Sequence, residues 1–253
     1  MSWLGIYCAT VKTQSTVLVD DVSFEIERGN IVAIFGANGS GKTTLLKGIA
    51  GILPGTAKFS GSVRLDGRDF LSNASDFRAR HIAYVPSDLR AEFPITAQEA
   101  VQLGHISGDS GKRGDIETLM KRCFCWGLKT RLLHELSGGE RQLVALARAL
   151  AQGAKTILLD ESLSKMDLNH QAQVGKLLLE LKKDAYTVLL VSHDVNLATE
   201  WADSILILKN GKKVAYGELN ATLTAEVLTQ IYPGAQLSLQ KSSVSGKPKV
   251  VFG

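Results

Sequence analysis

The run FGANGSGKTT, beginning at Phe35, constrains the fold of this chain more than any other stretch. It satisfies G-x-x-x-x-G-K-[ST] from Gly36 to Thr43, follows the apolar run IVAIF (31–35) and precedes the helical pattern LLKGIAG. Strand, glycine loop and helix therefore stand in the order that such a loop requires. Gly36, Gly39 and Gly41 let the backbone wrap with its N–H groups inward, forming an anion nest at a helix N-terminus where the macrodipole also favours negative charge. Lys42 reaches the outer phosphates of a polyphosphate. Thr43 offers a hydroxyl to Mg²⁺, which binds few protein ligands and completes its octahedron with phosphates and water.

Further short Val- and Ile-rich runs recur with helical patterns between them: IAYV (82–85), TILL (156–159), TVLLV (187–191) and ILIL (205–208). This alternation predicts an α/β fold, a mostly parallel sheet with helices on both faces, and 253 residues are enough to bury its core. Two segments depart from the parallel pattern. The first 30 residues are strand-like, and ILILKNGKKVAYG carries an Asn210-Gly211 hairpin turn, so an antiparallel β part is expected beside the core. From 88 to 152 the texture turns helical, with a capping box from Thr96 to Glu99, a polar Gly-rich stretch at 107–114, and helical patterns at 115–126 and 139–152. The expected organisation is a single domain spanning 1–253, with an α/β core and its antiparallel part in 1–87 and 153–253. Into that core is inserted a helical subdomain, 88–152. The tail, 237–253, is polar until its end and is expected to be loose, with VVF available to extend a sheet edge.

Composition narrows the partners. The formal charge of +4 arises from 29 basic against 25 acidic residues without long runs of one sign, which argues against a nucleic-acid groove. Cys8, Cys123 and Cys125 have spacings that suit neither a zinc site nor a disulfide framework, and are read as reduced thiols. MSWLGIYCAT lacks the basic flank and apolar length of a signal peptide. The longest apolar block, LVALARALA (143–151), is broken by Arg148 and falls short of the roughly 18 residues a membrane span needs. The chain is expected to stay where it is made and to meet a membrane only peripherally.

Three further stretches carry chemistry. TILLDE (156–161) is an apolar strand ending in adjacent carboxylates, and strand alternation sends Asp160 and Glu161 in different directions. Asp160 is placed to hold the magnesium shell, while Glu161 can face the attacking water and polarise it in line with the γ-phosphate. TVLLVSH ends at His193 in the same manner, giving a second candidate for the γ-phosphate at a strand end, where open parallel sheets bind ligands. LSGGERQ (136–142) is another glycine-containing turn opening a helix, hence a second anion-binding N-terminus. One ATP hardly needs two such loops from one subunit, so Ser137, Gly138 and Gly139 are read as closing over ATP held by another copy.

GANGSGKTT, LSGGERQ, TILLDE and VSH, in this order, resemble an ABC-transporter ATP-binding subunit over nearly the whole chain. The resemblance implies a P-loop NTPase core and an ATPase that forms a head-to-tail dimer with two ATPs at the interface. It implies that Gly36, Asn38, Gly39, Ser40, Gly41, Lys42, Thr43 and Thr44 bind nucleotide, and that Thr43 and Asp160 hold Mg²⁺. Glu161, His193 and Lys42 are then the catalytic set. Ser137, Gly138, Gly139 and Glu140 contact nucleotide in trans, and Asp167 lies in the dimer-interface loop. Its partners are a second copy, multi-span permease subunits and, indirectly, a substrate-binding protein, with the chain cytoplasmic on the inner face of the membrane. VRLDGRDF, FPITAQEAVQLGH, MDLNHQAQV and HDVNLATEWAD are similar to importer ATPases of iron-siderophore, haem and vitamin B12 systems.

Three positions depart from the family. No aromatic ring stands in VKTQST, from Val11, to stack on adenine, and Tyr7 is the nearest substitute. Ser162-Leu163-Ser164 replaces the usual Pro-Thr-Ser before Asp167. In HIAYVPSDL, Ser87 occupies the place of a glutamine whose amide reaches magnesium and the attacking water; a serine hydroxyl lacks that reach. Two other classes use the same motifs: an ATP-dependent clamp or regulatory module with weak hydrolysis, and a soluble ABC ATPase acting on nucleic acid or ribosomes. The second usually carries two cassettes or a long coiled-coil insertion, and this chain has neither.

Overall fold

A computed structural model describes residues 2–107, 114–161, 163, 166–242 and 245–252. The chain divides into two compact units, Met1–Ser72 with Leu189–Gly253, and Asn73–Val188. Along the sequence the elements are β1 (Leu4–Lys12), β2 (Val17–Ile26), β3 (Ile31–Phe35), α1 (Lys42–Ala50), β4 (Lys58–Leu65), the two-residue β5 (Arg68–Asp69), α2 (Ser75–His81) and β6 (Ile82–Val85). Then follow α3 (Ala97–Gln102), α4 (Gly104–Ser107), α5 (Ile116–Arg122), α6 (Gly138–Ala151), β7 (Thr156–Asp160), α7 (Leu168–Lys183) and β8 (Thr187–Val191). The chain ends with α8 (Val195–Trp201), β9 (Ser204–Lys209), β10 (Lys212–Glu218), α9 (Leu219–Thr222), α10 (Ala225–Ile231), β11 (Leu237–Lys241) and β12 (Pro248–Phe252).

In the first unit, β2, β1, β4 and β5 form an antiparallel sheet in that order. A register shift in β1 between Ile6 and Ala9, where Cys8 has φ 50, marks a bulge that bends the strand. β3 is buried at all five positions, as an apolar run inside a parallel sheet must be, and pairs with β9 from Val32↔Ser204 to Phe35↔Ile207. β10 returns antiparallel to β9 through Asn210 (φ 50) and Gly211 (φ 78), the two positive φ values that the Asn-Gly hairpin turn requires. α1 stops at Gly51, which is left-handed, with the N–H of Ile52 closing on Lys47 O at 3.0 Å.

The tail differs from its expected looseness. β11 and β12 pair from Leu237↔Phe252 to Lys241↔Pro248 as a separate two-stranded sheet, so VVF does not extend the main sheet. A lone hairpin needs an anchor, and Asn196 supplies it: its Nδ2 donates to Val250 O at 2.9 Å and its Oδ1 accepts from Val250 N at 2.7 Å. Lys247 Nζ adds bonds to the carbonyls of Glu200 and Ala202.

In the second unit, β6 and β7 pair in parallel from Ile82↔Thr156 to Val85↔Leu159. β7 is buried throughout, and each fully buried leucine contributes about 1.5–3 kcal/mol of apolar transfer. This unit is wider than the expected helical insert, since it contains both strands and α7 as well as α3 to α6. The helix expected over 115–126 ends at Arg122. Phe124 takes the left-handed conformation (φ 58), Cys125 N bonds Met120 O at 2.9 Å and Phe124 N bonds Lys121 O at 3.0 Å, a Schellman stop with phenylalanine where glycine is usual. The three cysteines are free thiols; burial pushes Cys125 up to about 12 and Cys123 well above its ordinary value, so both are unreactive packing residues. The central residues of the Gly-rich 107–114 stretch, 108–113, lie outside the described residues, as do Ser162, Ser164 and Lys165.

Candidate functional site: a phosphate loop, an acid-bearing strand and a capped glycine turn

β3 delivers the chain into the phosphate loop at Phe35, and two of its glycines are there because nothing else fits. A Cβ on Gly36 (φ 153) would lie 2.2 Å from Leu208 O, and one on Gly41 (φ 98) 2.7 Å from Leu18 O. Gly41 is the N-cap of α1 and, having no side chain, makes no side-chain cap bond to that helix. Lys42 is only 4% exposed and folds over the loop, donating to Gly36 O at 2.8 Å and Ala37 O at 3.0 Å. Ser40 is 2% exposed with an Oγ that has no hydrogen-bond partner. Buried polar atoms are seldom left so, and a ligand oxygen is the partner this one fits. The buried ammonium and the Ser40 hydroxyl stand on this loop with Asn38, and Thr43 and Thr44 follow at the helix start, the type of arrangement that can take an anion. His193 sits on the exposed turn after β8, between Ser192, whose Oγ donates to Asp194 O at 3.0 Å and accepts from Asp194 N at 3.1 Å, and the Asp194 cap of α8 (Leu197 N to Oδ1, 3.1 Å).

In the second unit, β7 ends at Asp160, which is 3% exposed. Glu161 lies outside the strand in the left-handed region (φ 52), so its direction is set by a strained turn as well as by strand alternation. Tyr84 of β6 donates its hydroxyl to Asp160 Oδ2 at 2.6 Å. Burial first, and then the bond and charge of Asp160, hold that phenol far above its ordinary value, so it stays a donor. Ser87 is half-buried after Pro86, and its neighbours tie the end of β6 to α6: Gln142 Nε2 donates to Pro86 O at 3.0 Å, and Arg141 Nε to Asp88 Oδ1 at 3.2 Å. A cleft of about 520 Å³ opens beside them, lined by Asp88, Phe93, Pro94, Leu133, His134 and Arg141 among others, with Phe93 73% exposed.

LSGGE is built differently from the phosphate loop. Ser137 is the N-cap of α6 within a full capping box: its Oγ accepts from Glu140 N at 3.2 Å, and Glu140 Oε2 accepts from Ser137 N at 2.7 Å. The Ser137 N–H, with Arg131 at 3.2 Å, holds the Glu140 carboxyl below its ordinary value. Gly138 and Gly139 form the first turn. Asp167 caps α7 through His170 N at 2.9 Å, lies 3.0 Å from the His170 ring, and is likewise held low, chiefly by that N–H. A Cβ on Gly139 would come within 3.1 Å of His170 Nδ1, so this histidine touches both the LSGGE turn and the Asp167 loop.

Tyr84 and His170 escaped the sequence reading. Tyr84 shows itself only when IAYV and TILLD are set side by side in parallel register, and His170 only as the third residue of an Asp-capped helix. Tyr7, the nearest aromatic to the missing adenine stacker, is engaged elsewhere: its hydroxyl donates to Glu25 at 2.5 Å and the Arg64 guanidinium lies 5.5 Å over its ring. Thr43 at the start of α1 and Asp160 at the end of β7 each carry an oxygen donor, the kind a hard cation takes, and among the described residues no cluster of three or more His, Cys, Asp or Glu offers a transition-metal cage. No helix among the described residues is long and apolar enough to cross a membrane.

Comparison with known proteins agrees with this chemistry. The ABC transporter family profile matches residues 19–164, more than half of the chain. A hemin import ATP-binding protein, HmuV, of Escherichia coli O157:H7 is 35% identical over 248 residues, covering 94% of this chain and 95% of the relative. HmuV of Pseudomonas entomophila is 33% identical over 249 residues, covering 95% and 96%. Among solved structures, a metal-chelate type ABC transporter in an inward-facing conformation aligns with a TM-score of 0.81 at 25% identity, over 100% of this chain and 97% of that one. The dimeric ATP-binding cassette MJ0796, with ADP and phosphate, aligns at 0.74 and 28% identity over 85% and 98%. An α/β P-loop ATPase is the class that fold and loop define. The chain belongs to the ABC transporter family, as one of its ATP-binding and ATP-hydrolysing subunits.

Proposed function

We propose that this chain powers the import of haem or a chemically related iron or cobalt chelate by binding and hydrolysing Mg²⁺-ATP between two copies of itself. The observation that carries the ATP reading is the phosphate loop, where a buried Lys42, an α1 N-terminus without a side-chain cap and the orphaned Ser40 Oγ converge on one anion site. The transport reading is supported by the HmuV proteins, which are similar over nearly their full length and are hemin import ATP-binding proteins.

In this reading Lys42 anchors the outer phosphates, with the backbone from Gly36 to Thr44 around them. Thr43 and Asp160 hold the magnesium ion, which when bound neutralises phosphate charge. Glu161 orients and polarises the attacking water, and His193 contacts the γ-phosphate. The partner copy contributes its signature turn, the residues equivalent to Ser137, Gly138, Gly139 and Glu140, and Asp167 lies in the contact between copies. Closure and reopening of the dimer move a multi-span permease on the inner face of the membrane, served by a substrate-binding protein. The cleft beside Ser87, with exposed Phe93 at its rim, is the surface offered to that permease.

Glu161→Gln keeps the shape of the site and removes the group that polarises water. With ATP and Mg²⁺ it should elute from size exclusion as a dimer and revert to monomer when nucleotide is withdrawn. A variant that stays monomeric at saturating ATP would sink the sandwich. Stimulation of ATPase by haem-loaded binding protein, in vesicles holding a haem permease, tests the substrate; stimulation by a different chelate alone would reassign it.

A further inference from the structure

We infer that Tyr84 is a positioning residue for magnesium: its hydroxyl fixes the orientation in which Asp160 presents its carboxylate to the ion. The inference rests on the reading of Asp160 as a magnesium ligand and extends it to a residue on the neighbouring strand.

The geometry follows from parallel register. Tyr84 stands opposite Leu158, and side chains two apart on a strand share a face, so Tyr84, Leu158 and Asp160 line one side of the β6–β7 pair. Two residues of strand advance about 6.6 Å, a span that a tyrosine side chain covers and a serine does not. The phenol accordingly ends 2.6 Å from Asp160 Oδ2. Packing alone would be served by phenylalanine at this half-buried site, so the hydroxyl answers to the carboxylate. Asp160 sits at the end of a fully buried strand, 3% exposed, where a carboxylate with one oxygen held cannot rotate between equivalent poses. Partners of this kind, one bond behind the ligand, set ligand orientation and metal affinity.

The position of Tyr84 gives the arrangement added meaning. It lies three residues before Ser87, the site where the resemblance expects a glutamine that reaches the metal. β6 therefore keeps a link to the magnesium aspartate through a residue ahead of its end, although the residue at its end is too short to make one. The other end of the same link is firm, because Pro86 O and Asp88 are bonded to Gln142 and Arg141 of α6.

The test is the tightening of nucleotide binding by Mg²⁺, read by calorimetry on the full chain with a non-hydrolysable ATP analogue, once in saturating Mg²⁺ and once in EDTA. Tyr84→Phe keeps the ring and removes one hydroxyl. The analogue should bind in EDTA as it does to the unmodified protein, while the tightening by Mg²⁺ falls about tenfold or more. Asp160→Asn should remove most of the tightening, and adding Tyr84→Phe to it should change nothing further. If Asp160→Asn loses the tightening while Tyr84→Phe retains it in full, Tyr84 has no part in placing the ion. An equal loss for Tyr84→Phe in Mg²⁺ and in EDTA likewise overturns the inference, because the damage is then to the nucleotide site as a whole. If Asp160→Asn retains the tightening, the magnesium reading of Asp160 fails and Tyr84 falls with it.

Discussion

Gly41 and Ser137 are each the N-cap of a helix beside a glycine-containing turn, yet only Ser137 caps its helix with a side chain. Gly41 has no side chain, sits at φ 98 and leaves α1 without a side-chain cap. Ser137 and Glu140 close a reciprocal capping box on α6. The first helix start carries no side-chain cap, and a buried Lys42 adds a full charge beside it. The second has already spent part of its donor set on its own chain. An anion meeting α6 finds the macrodipole and the remaining N–H groups but a weaker site, which suits a turn that completes a nucleotide held elsewhere.

Lys42→Ala is the largest break available to this comparison. It removes the ammonium folded into the loop and both of its bonds to Gly36 O and Ala37 O. Hydrogen bonds to charged groups contribute about 1.5–3 kcal/mol, so nucleotide affinity should fall roughly 10- to 150-fold in calorimetry. An unchanged affinity would mean that the N–H nest alone binds phosphate.

Gly41→Ala against Gly139→Ala separates the two turns by conformation. Alanine at 41 takes on a left-handed backbone, about 1–3 kcal/mol of strain, and places its Cβ 2.7 Å from the Leu18 carbonyl, so both melting temperature and nucleotide binding should drop. Alanine at 139 stands in a helical turn and meets only the His170 ring at 3.1 Å, a side chain that can yield a few tenths of an ångström. The isolated subunit should then bind nucleotide normally and lose the ATP-stabilised dimer. Equal loss of nucleotide binding in both variants would erase the distinction.

Legibility in the sequence followed the same divide between local and distant causes. β3, β6 and β8 begin and end where their apolar runs do, β7 runs one residue longer and β9 one residue longer at each end, because a strand buried on both faces leaves an uninterrupted apolar signature. The Asn210-Gly211 hairpin and the Thr96–Glu99 box were legible from turn and cap chemistry confined to four residues. The stop at Phe124 was not, since a left-handed phenylalanine carries no glycine to announce it. The tail hairpin was illegible for a further reason: its anchor, Asn196, lies more than 50 residues before the carbonyl it holds. Tyr84 belongs with these. The motif residues of the site declare themselves by type and spacing, whereas a partner reached across strand register appears only once the strands are paired.

The smallest expected effect tests the claim that α6 is satisfied by its own side chains. Ser137→Ala removes the acceptor for Glu140 N and should cost about 1 kcal/mol of stability in chemical denaturation. The Glu140 half of the box is readable through pH. Its carboxyl is held below the ordinary 4.5, chiefly by the Ser137 N–H, so its contribution is complete above the unfolded value and is lost as pH falls through the lowered folded value. Glu140→Gln keeps an acceptor for the Ser137 N–H but cannot titrate. The stability difference between unmodified protein and Glu140→Gln should therefore be constant above about pH 5.5, shrink as acid is added below 4.5, and level off once the folded carboxyl is protonated. A difference that stays flat across that range would mean that Glu140 is bonded no better in the folded chain than in the unfolded one. The side-chain cap of α6 would then count for no more than its absence on α1, and the contrast between the two turns would disappear.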